Sequence, residues 1–183
     1  MAYLAECGYP VPRVQSVSGA DIVMRRIDGP TMVQAFADGT LAIDEGQRML
    51  AELHTRLHAL PPRHSTDPED RILHLDLHPE NVLLSVDGPI VIDWSNAVEG
   101  PPGYDIAVTA LIYAEVAVDP AHPYAPIAVP ALESFLRYAG TPGPEMIARA
   151  LALRSANPTL SREETSRLPA AAEQVLRAGA AWA

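Results

Sequence analysis

Two short apolar runs, Val82–Leu84 and Ile90–Ile92, flank the turn-forming Val86-Asp87-Gly88. Runs this short on either side of such a turn predict a tight β-hairpin. If the turn centres on Asp87, Asn81 faces Asp93 across the open end of the hairpin. An amide oxygen and a carboxylate then stand side by side, and Asp76 sits in the loop that feeds that end.

The rest of the chain is mostly helical in pattern. Met49, Leu50, Leu53, Leu57 and Leu60 repeat at three- and four-residue spacing, which predicts a helix over Thr40–Leu60 that stops at Pro61-Pro62. Further helices are expected at Tyr104–Val118, Ala128–Ala139, Pro144–Ala156 and Arg162–Gly179, with prolines in the connections. Ser161 and Glu164 have the spacing of a capping box for the last one. At the start, Leu4 to Cys7 reads as a helix tail, and Gly8-Tyr9-Pro10-Val11-Pro12 as a breaker. Arg13–Val17 and Asp21–Ile27 read as two strands joined at Ser18-Gly19. The expected class is α+β, with a small β element preceding a helical body.

Composition excludes several functions. The apolar run near Ile106–Ala114 is far shorter than the roughly 20 residues that span a bilayer, so no membrane partner is expected. MAYLAECGYP has no basic region of the kind that opens a signal peptide. A net charge of -10 argues against nucleic acid as a partner and suits a cationic small molecule. The single cysteine, Cys7, has no internal partner and reads as inert, which fits a cytoplasmic home. All 13 basic residues are arginine, and lysine is absent. Neither a glycine-rich phosphate loop nor a phosphate-binding lysine is present, so ordinary P-loop chemistry is excluded.

Oxygen ligands at the end of a rigid hairpin suit Mg²⁺, which prefers one or two protein carboxylates together with substrate phosphates. A carboxylate nearby but off the metal can orient a hydroxyl and accept its proton. Asp76 fits the base, and Asn81 and Asp93 fit the metal ligands. A competing pattern is His74-Leu75-Asp76-Leu77-His78, whose alternate residues could bind zinc as in a hydrolase. His54 and His58, at i and i+4 on a helix, form a second candidate metal pair. Asp105 stands where the helix dipole favours a carboxylate. Trp94 and Trp182 read as packing residues, and Arg25-Arg26 as solvated arginines.

The segment His74-Leu75-Asp76-Leu77-His78-Pro79-Glu80-Asn81-Val82-Leu83 resembles the H-G-D-L-H-P-G-N-[VI]-L signature of the aminoglycoside phosphotransferase and choline kinase family. Ile92-Asp93-Trp94 resembles its I-D-[WF] segment, and Gly103-Tyr104-Asp105-Ile106-Ala107 the segment that follows. Leu57-His58-Ala59-Leu60-Pro61 resembles the end of the helix before the catalytic loop, and Val23–Gly29 the strand and hinge between the lobes.

This resemblance implies a kinase-like fold that transfers the γ-phosphoryl group of ATP to a hydroxyl of a small molecule. It makes Asp76 the catalytic carboxylate and gives the magnesium ions to Asn81 and Asp93. Met24 would border the adenine, and the backbone of Arg25 and Ile27 would bond its edge. His74 and Asp105 would support the catalytic loop. Residues 1–30 would be the remnant of the smaller lobe, with helix tail, two strands and hinge. Residues 31–183 would form the helical lobe, carrying the catalytic loop at 74–81 and the metal-binding segment at 92–94. Leu75 and Glu80 depart from the signature, and the glycine loop and lysine of the smaller lobe would lie before Met1. Weak activity is therefore expected of this chain alone. The alternative is a non-catalytic module whose exposed strands are covered by a partner chain or a second copy.

Overall fold

The computed structural model describes residues 1–180, so Trp182 lies outside the described residues. The chain opens with helix α1 (Ala2–Glu6) and a two-stranded antiparallel ribbon, β1 (Val14–Ser18) and β2 (Asp21–Met24). The segment read above as a hinge leads to α2 (Met32–Ala37) and α3 (Ile43–His58). Three short strands follow: β3 (Arg71–Leu73), β4 (Val82–Ser85) and β5 (Gly88–Val91). Strand β6 (Val98–Gly100) pairs back with β3, and the chain closes with α4 (Pro102–Ala117), α5 (Ala125–Ala139), α6 (Pro144–Ser155) and α7 (Arg162–Ala180).

Helix α4 organises the body. It is apolar nearly all round, and every residue from Tyr104 to Leu111 is buried, as a helix must be when others surround it. Helices α3, α5, α6 and α7 pack on it. Leu4 and Tyr9 belong to the same buried cluster as Leu50, Leu111 and Phe135, so the first dozen residues lie against the helical body. The Tyr9 hydroxyl donates to the Leu53 carbonyl at 3.1 Å, and the Val91 N–H donates to the Pro10 carbonyl at 2.8 Å.

Several boundaries differ from those expected. Helix α5 starts at Ala125, because Pro126 in its first turn lacks only an N–H that would have no partner there. Strand β2 ends at Met24 and leaves Arg25–Ile27 in the hinge. Helix α2 is too short for an apolar stripe and is marked only by its capping box, in which Thr31 and Gln34 bond each other's backbone N–H at 2.8 and 3.2 Å. The capping box of α7 forms as expected, with Ser161 and Glu164 bonded at 2.8 and 3.2 Å.

The hairpin register is one residue away from the expected one. Val82 pairs with Val91, Leu83 with Ile90 and Ser85 with Gly88, so the loop holds only Val86 and Asp87. Gly88 takes φ 112 and the Ser85 hydroxyl donates to its carbonyl at 2.8 Å, which closes a two-residue turn. Asn81 therefore pairs with Ile92, whose N–H reaches the Asn81 carbonyl at 3.0 Å, and Asp93 lies one position beyond. The hinge packs directly on β4. A Cβ on Gly29 would stand 2.1 Å from the Leu84 carbonyl oxygen, so only glycine fits there.

Leu75 is buried, yet its φ is 58, in the left-handed region that costs a leucine about 1–2 kcal/mol. Truncating a buried leucine costs about 2–5 kcal/mol. At an ordinary position glycine would be worse than alanine by about 0.5–1 kcal/mol. Here the order should reverse. Leu75→Gly is expected to unfold at a higher urea concentration than Leu75→Ala, because only glycine removes the strain.

Candidate active site

The loop between β3 and β4 is held from behind by one carboxylate. Asp105, in the first turn of α4, is fully buried. Its Oδ1 accepts the Leu75 N–H at 2.7 Å, and its Oδ2 accepts the His74 N–H at 3.1 Å. His58 Nε2 lies 3.0 Å and His54 Nδ1 3.5 Å from Oδ2. Burial alone would raise the pKa of Asp105, but the His54 and His58 imidazoles outweigh it and hold the carboxyl well below the usual range. The Thr109 hydroxyl, on the same helix, donates to the Leu77 carbonyl at 2.8 Å. Two residues of α4 thus fix the backbone on both sides of Asp76.

Asp76 is half-buried at the tip of this loop. The Asn81 amide donates to its carbonyl at 2.8 Å and to its Oδ2 at 3.2 Å, and His78 Nε2 lies 3.7 Å from its Oδ1. Burial pushes the Asp76 carboxyl above its ordinary pKa; Arg154, His74 and the Asn81 hydrogen bond oppose the shift, and the charge of Asp93 adds to it. Asp93 is exposed, with φ 57, and its Oδ1 accepts the Ser95 hydroxyl at 2.7 Å. With its amide nitrogen turned to Asp76, Asn81 keeps its side-chain oxygen for another partner. The donors that remain are oxygens, which fits Mg²⁺.

His74 links the two segments. Its Nε2 reaches the Ile92 carbonyl at 2.9 Å, just before Asp93, and its ring packs 4.5 Å from that of Trp94. Burial lowers its pKa, which keeps the ring neutral. The alternation of His74, Asp76 and His78 does not make a metal cluster, since His74 turns away to Ile92. Trp94 packs against the core, as expected.

The hinge residues stand apart from this cluster. Met24 is 41% exposed on β2. Arg25 and Ile27 line a cleft of about 220 Å³ between the hinge and the hairpin tip, and its lining includes none of Asp76, Asn81 and Asp93. The Arg25 N–H is already bonded to the Arg13 carbonyl at 2.9 Å.

Sequence reasoning missed the other side of the site. Asp76 and His78 open onto a cleft of about 380 Å³ lined also by Glu115, Asp119, Arg154 and Arg167. Arg154 holds Glu115 through two bonds of 2.8 Å, and Arg167 holds Asp119 at 2.9 Å. A smaller apolar cleft of about 110 Å³, walled by Phe36, Ile112, Tyr113, Tyr124 and Ile127, shares His78 and Glu80 with the first. These residues come from α2, α4, α5, α6 and α7 and the turns beside them, and no local motif connects them. Arg154 was visible only as one arginine among 13.

Residues 13–128 match the model of the phosphotransferase enzyme family, APH. Among solved structures, the chain is similar to a choline/ethanolamine kinase family protein from Mesorhizobium loti. That match has 15% identity and a TM-score of 0.56, and covers 95% of this chain and 80% of the other. It is also similar to the amicoumacin kinase hAmiN, solved with AMP-PNP, Ca²⁺ and Ami, at 13% identity and a TM-score of 0.51, covering 95% of this chain and 74% of that one. Both matches show a shared kinase-like fold. No curated protein matches the sequence significantly. Among the described residues no helix is long and apolar enough to cross a membrane.

The buried Asp105 predicts an acid limit to stability. Its folded pKa is depressed, so its contribution is present above the unfolded carboxylate pKa of about 3.9 and is lost as pH falls below that value. Asp105→Asn, which leaves two imidazoles and two N–H groups without their anion, should cost about 3–5 kcal/mol at pH 7 in urea unfolding. The stability of the variant should also vary less than that of the wild type between pH 5 and pH 2.

Proposed function

Because this chain belongs to the phosphotransferase enzyme family, we propose that it carries the catalytic half of an ATP-dependent small-molecule kinase. The observation that supports this most is the Asp76 carboxylate, held by Asn81 at the mouth of an acceptor-sized cleft and braced from behind by Asp105. The acceptor hydroxyl attacks the γ-phosphorus of ATP, its proton passes to Asp76, and ADP leaves. Asn81 and Asp93 would hold Mg²⁺, which neutralises charge on the phosphates when bound. The backbone of Arg25 and Ile27 would contact the adenine, and Met24 would border it.

The cleft favours a cationic acceptor. Asp76, Glu80, Glu115, Asp119 and Glu164 outnumber the two arginines in its lining, and the whole chain carries a net charge of -10. The adjoining apolar cleft would take an uncharged part of the same molecule. With no lysine in the sequence, the phosphates lack their usual ammonium contact, and transfer by this chain alone would be slow. A cytoplasmic site of action fits both ATP and the exposed thiol of Cys7.

A second reading has an observation of its own. Val17, Ile22 and Met24 are 64, 49 and 41% exposed on one side of the β1–β2 ribbon, an apolar face that a partner chain or a second copy would cover. The chain would then act as a binding module. One calorimetric titration separates the readings. Magnesium-dependent ATP binding that disappears in Asp93→Ala, with turnover falling about 10²–10⁴-fold in Asp76→Asn, supports the kinase. No nucleotide binding, together with a stable dimer in sedimentation, supports the module.

The pH dependence gives a further check. Asp76 must be ionised to take a proton, so kcat/KM should fall with decreasing pH through a pKa above the ordinary aspartate value. Arg154 holds that pKa down. Arg154→Gln removes its charge, so the acid limb of the pH–rate profile should move to higher pH.

A further inference from the structure

The polarity of the hydrogen bonds around His54 leaves one buried nitrogen without a role. The Thr109 hydroxyl gives its proton to the Leu77 carbonyl. Its oxygen must therefore accept from His54 Nε2–H, 3.1 Å away. Nε2 thus carries the proton of that bond, which sets Nδ1 apart as the other ring position. This nitrogen is buried and has no hydrogen-bond partner. It faces Asp105 Oδ2 at 3.5 Å. Two such atoms in a dry core need a cation between them, either a proton or a metal ion.

His58 completes the arrangement. It lies one turn from His54 on the same face of α3, and its Nε2 is 3.0 Å from the same Asp105 oxygen. One ligand atom from each of the three residues falls within 4.8 Å of the others, the one such group of His, Cys, Asp or Glu among the described residues. Tetrahedral bonds of roughly 2.0–2.2 Å place ligand atoms about 3.3–3.5 Å apart, and the separations of 3.0 and 3.5 Å lie around that distance. A cleft of about 210 Å³ lined by His54, Thr55, His58, Gly103 and Thr141 gives access. The His54–Thr109 contact is the kind that orients a metal-bound imidazole.

We propose that His54 Nδ1, His58 Nε2 and Asp105 Oδ2 form a three-ligand site for a zinc-class divalent ion, with the cleft supplying the fourth position. Two imidazoles and one carboxylate suit zinc, whereas the all-oxygen set at Asn81 and Asp93 suits magnesium. On binding, the proton that His58 Nε2 shares with Asp105 is replaced by the metal–nitrogen bond, and the neutral ring carries its proton on Nδ1 instead. Asp105 Oδ1 keeps the Leu75 N–H. The ion thus braces the catalytic loop from behind and takes no part in phosphoryl transfer.

The test uses the full chain, stripped with a chelator and titrated with Co²⁺ as the spectroscopic substitute for zinc. The wild type is expected to bind one Co²⁺ with the visible bands of tetrahedral coordination, to release it to Zn²⁺, and to melt at a higher temperature when loaded. His58→Gln keeps a donor for Asp105 but offers no imidazole. It should fold, bind at least about tenfold more weakly, and show no rise in melting temperature. The proposal fails if the wild type gives no such bands or if His58→Gln gives the same ones. It fails equally if nitrogen-detected spectra find His54 protonated on both nitrogens at neutral pH in the presence of Zn²⁺, because a proton then occupies the gap.

Discussion

A carboxylate with no exposed surface holds the loop that carries the catalytic candidate. Asp105 satisfies two consecutive backbone N–H groups, those of His74 and Leu75, and is itself compensated by two imidazoles from α3. An unpaired charge in such a core would be prohibitive, so the helix pair and the loop depend on one another. Leu75 takes a left-handed backbone conformation at this point, and the Asp105 Oδ1 bond to its N–H holds it there.

From this anchor the geometry reaches outward. Asp76 follows Leu75 directly, and Asn81 ties it to the start of the hairpin. His74 carries the same rigidity to the Ile92 carbonyl and so to Asp93. The hinge joins the assembly at β4, where Gly29 lets two backbones touch and the Leu84 N–H reaches the Pro30 carbonyl at 2.9 Å. The catalytic candidates are thus fixed by backbone contacts, while the cleft in front of Asp76 is built from side chains on separate helices. Change of acceptor is possible in such a design without disturbing the loop.

Much of this was legible in the chain. The helical stripe of α3, the capping box of α7 and the turn at Val86-Asp87-Gly88 are local signals, and each produced its element. The hairpin register was not legible, because a turn of two residues and one of three fit the same letters and the choice shifts every pair by one. Helix α2 and strands β3 and β6 are too short to show a period. The His54–His58 pair and Asp105 were each noticed for separate reasons, but only packing brought them to one point.

The sequence by itself determined the set of chemical groups: carboxylates and an amide at kinase-like spacing, arginine as the only basic side chain, and a helical body behind a short hairpin. These follow from residue identity and from spacings of a few positions, which backbone geometry converts directly into neighbours. The tertiary structure alone decided which of those groups meet. Arg154 reaches Glu115 from 39 positions away, and His58 reaches Asp105 from 47. Contacts at that range are set by how helices pack around α4, and helix packing answers to the shape and volume of whole faces, which no local pattern encodes.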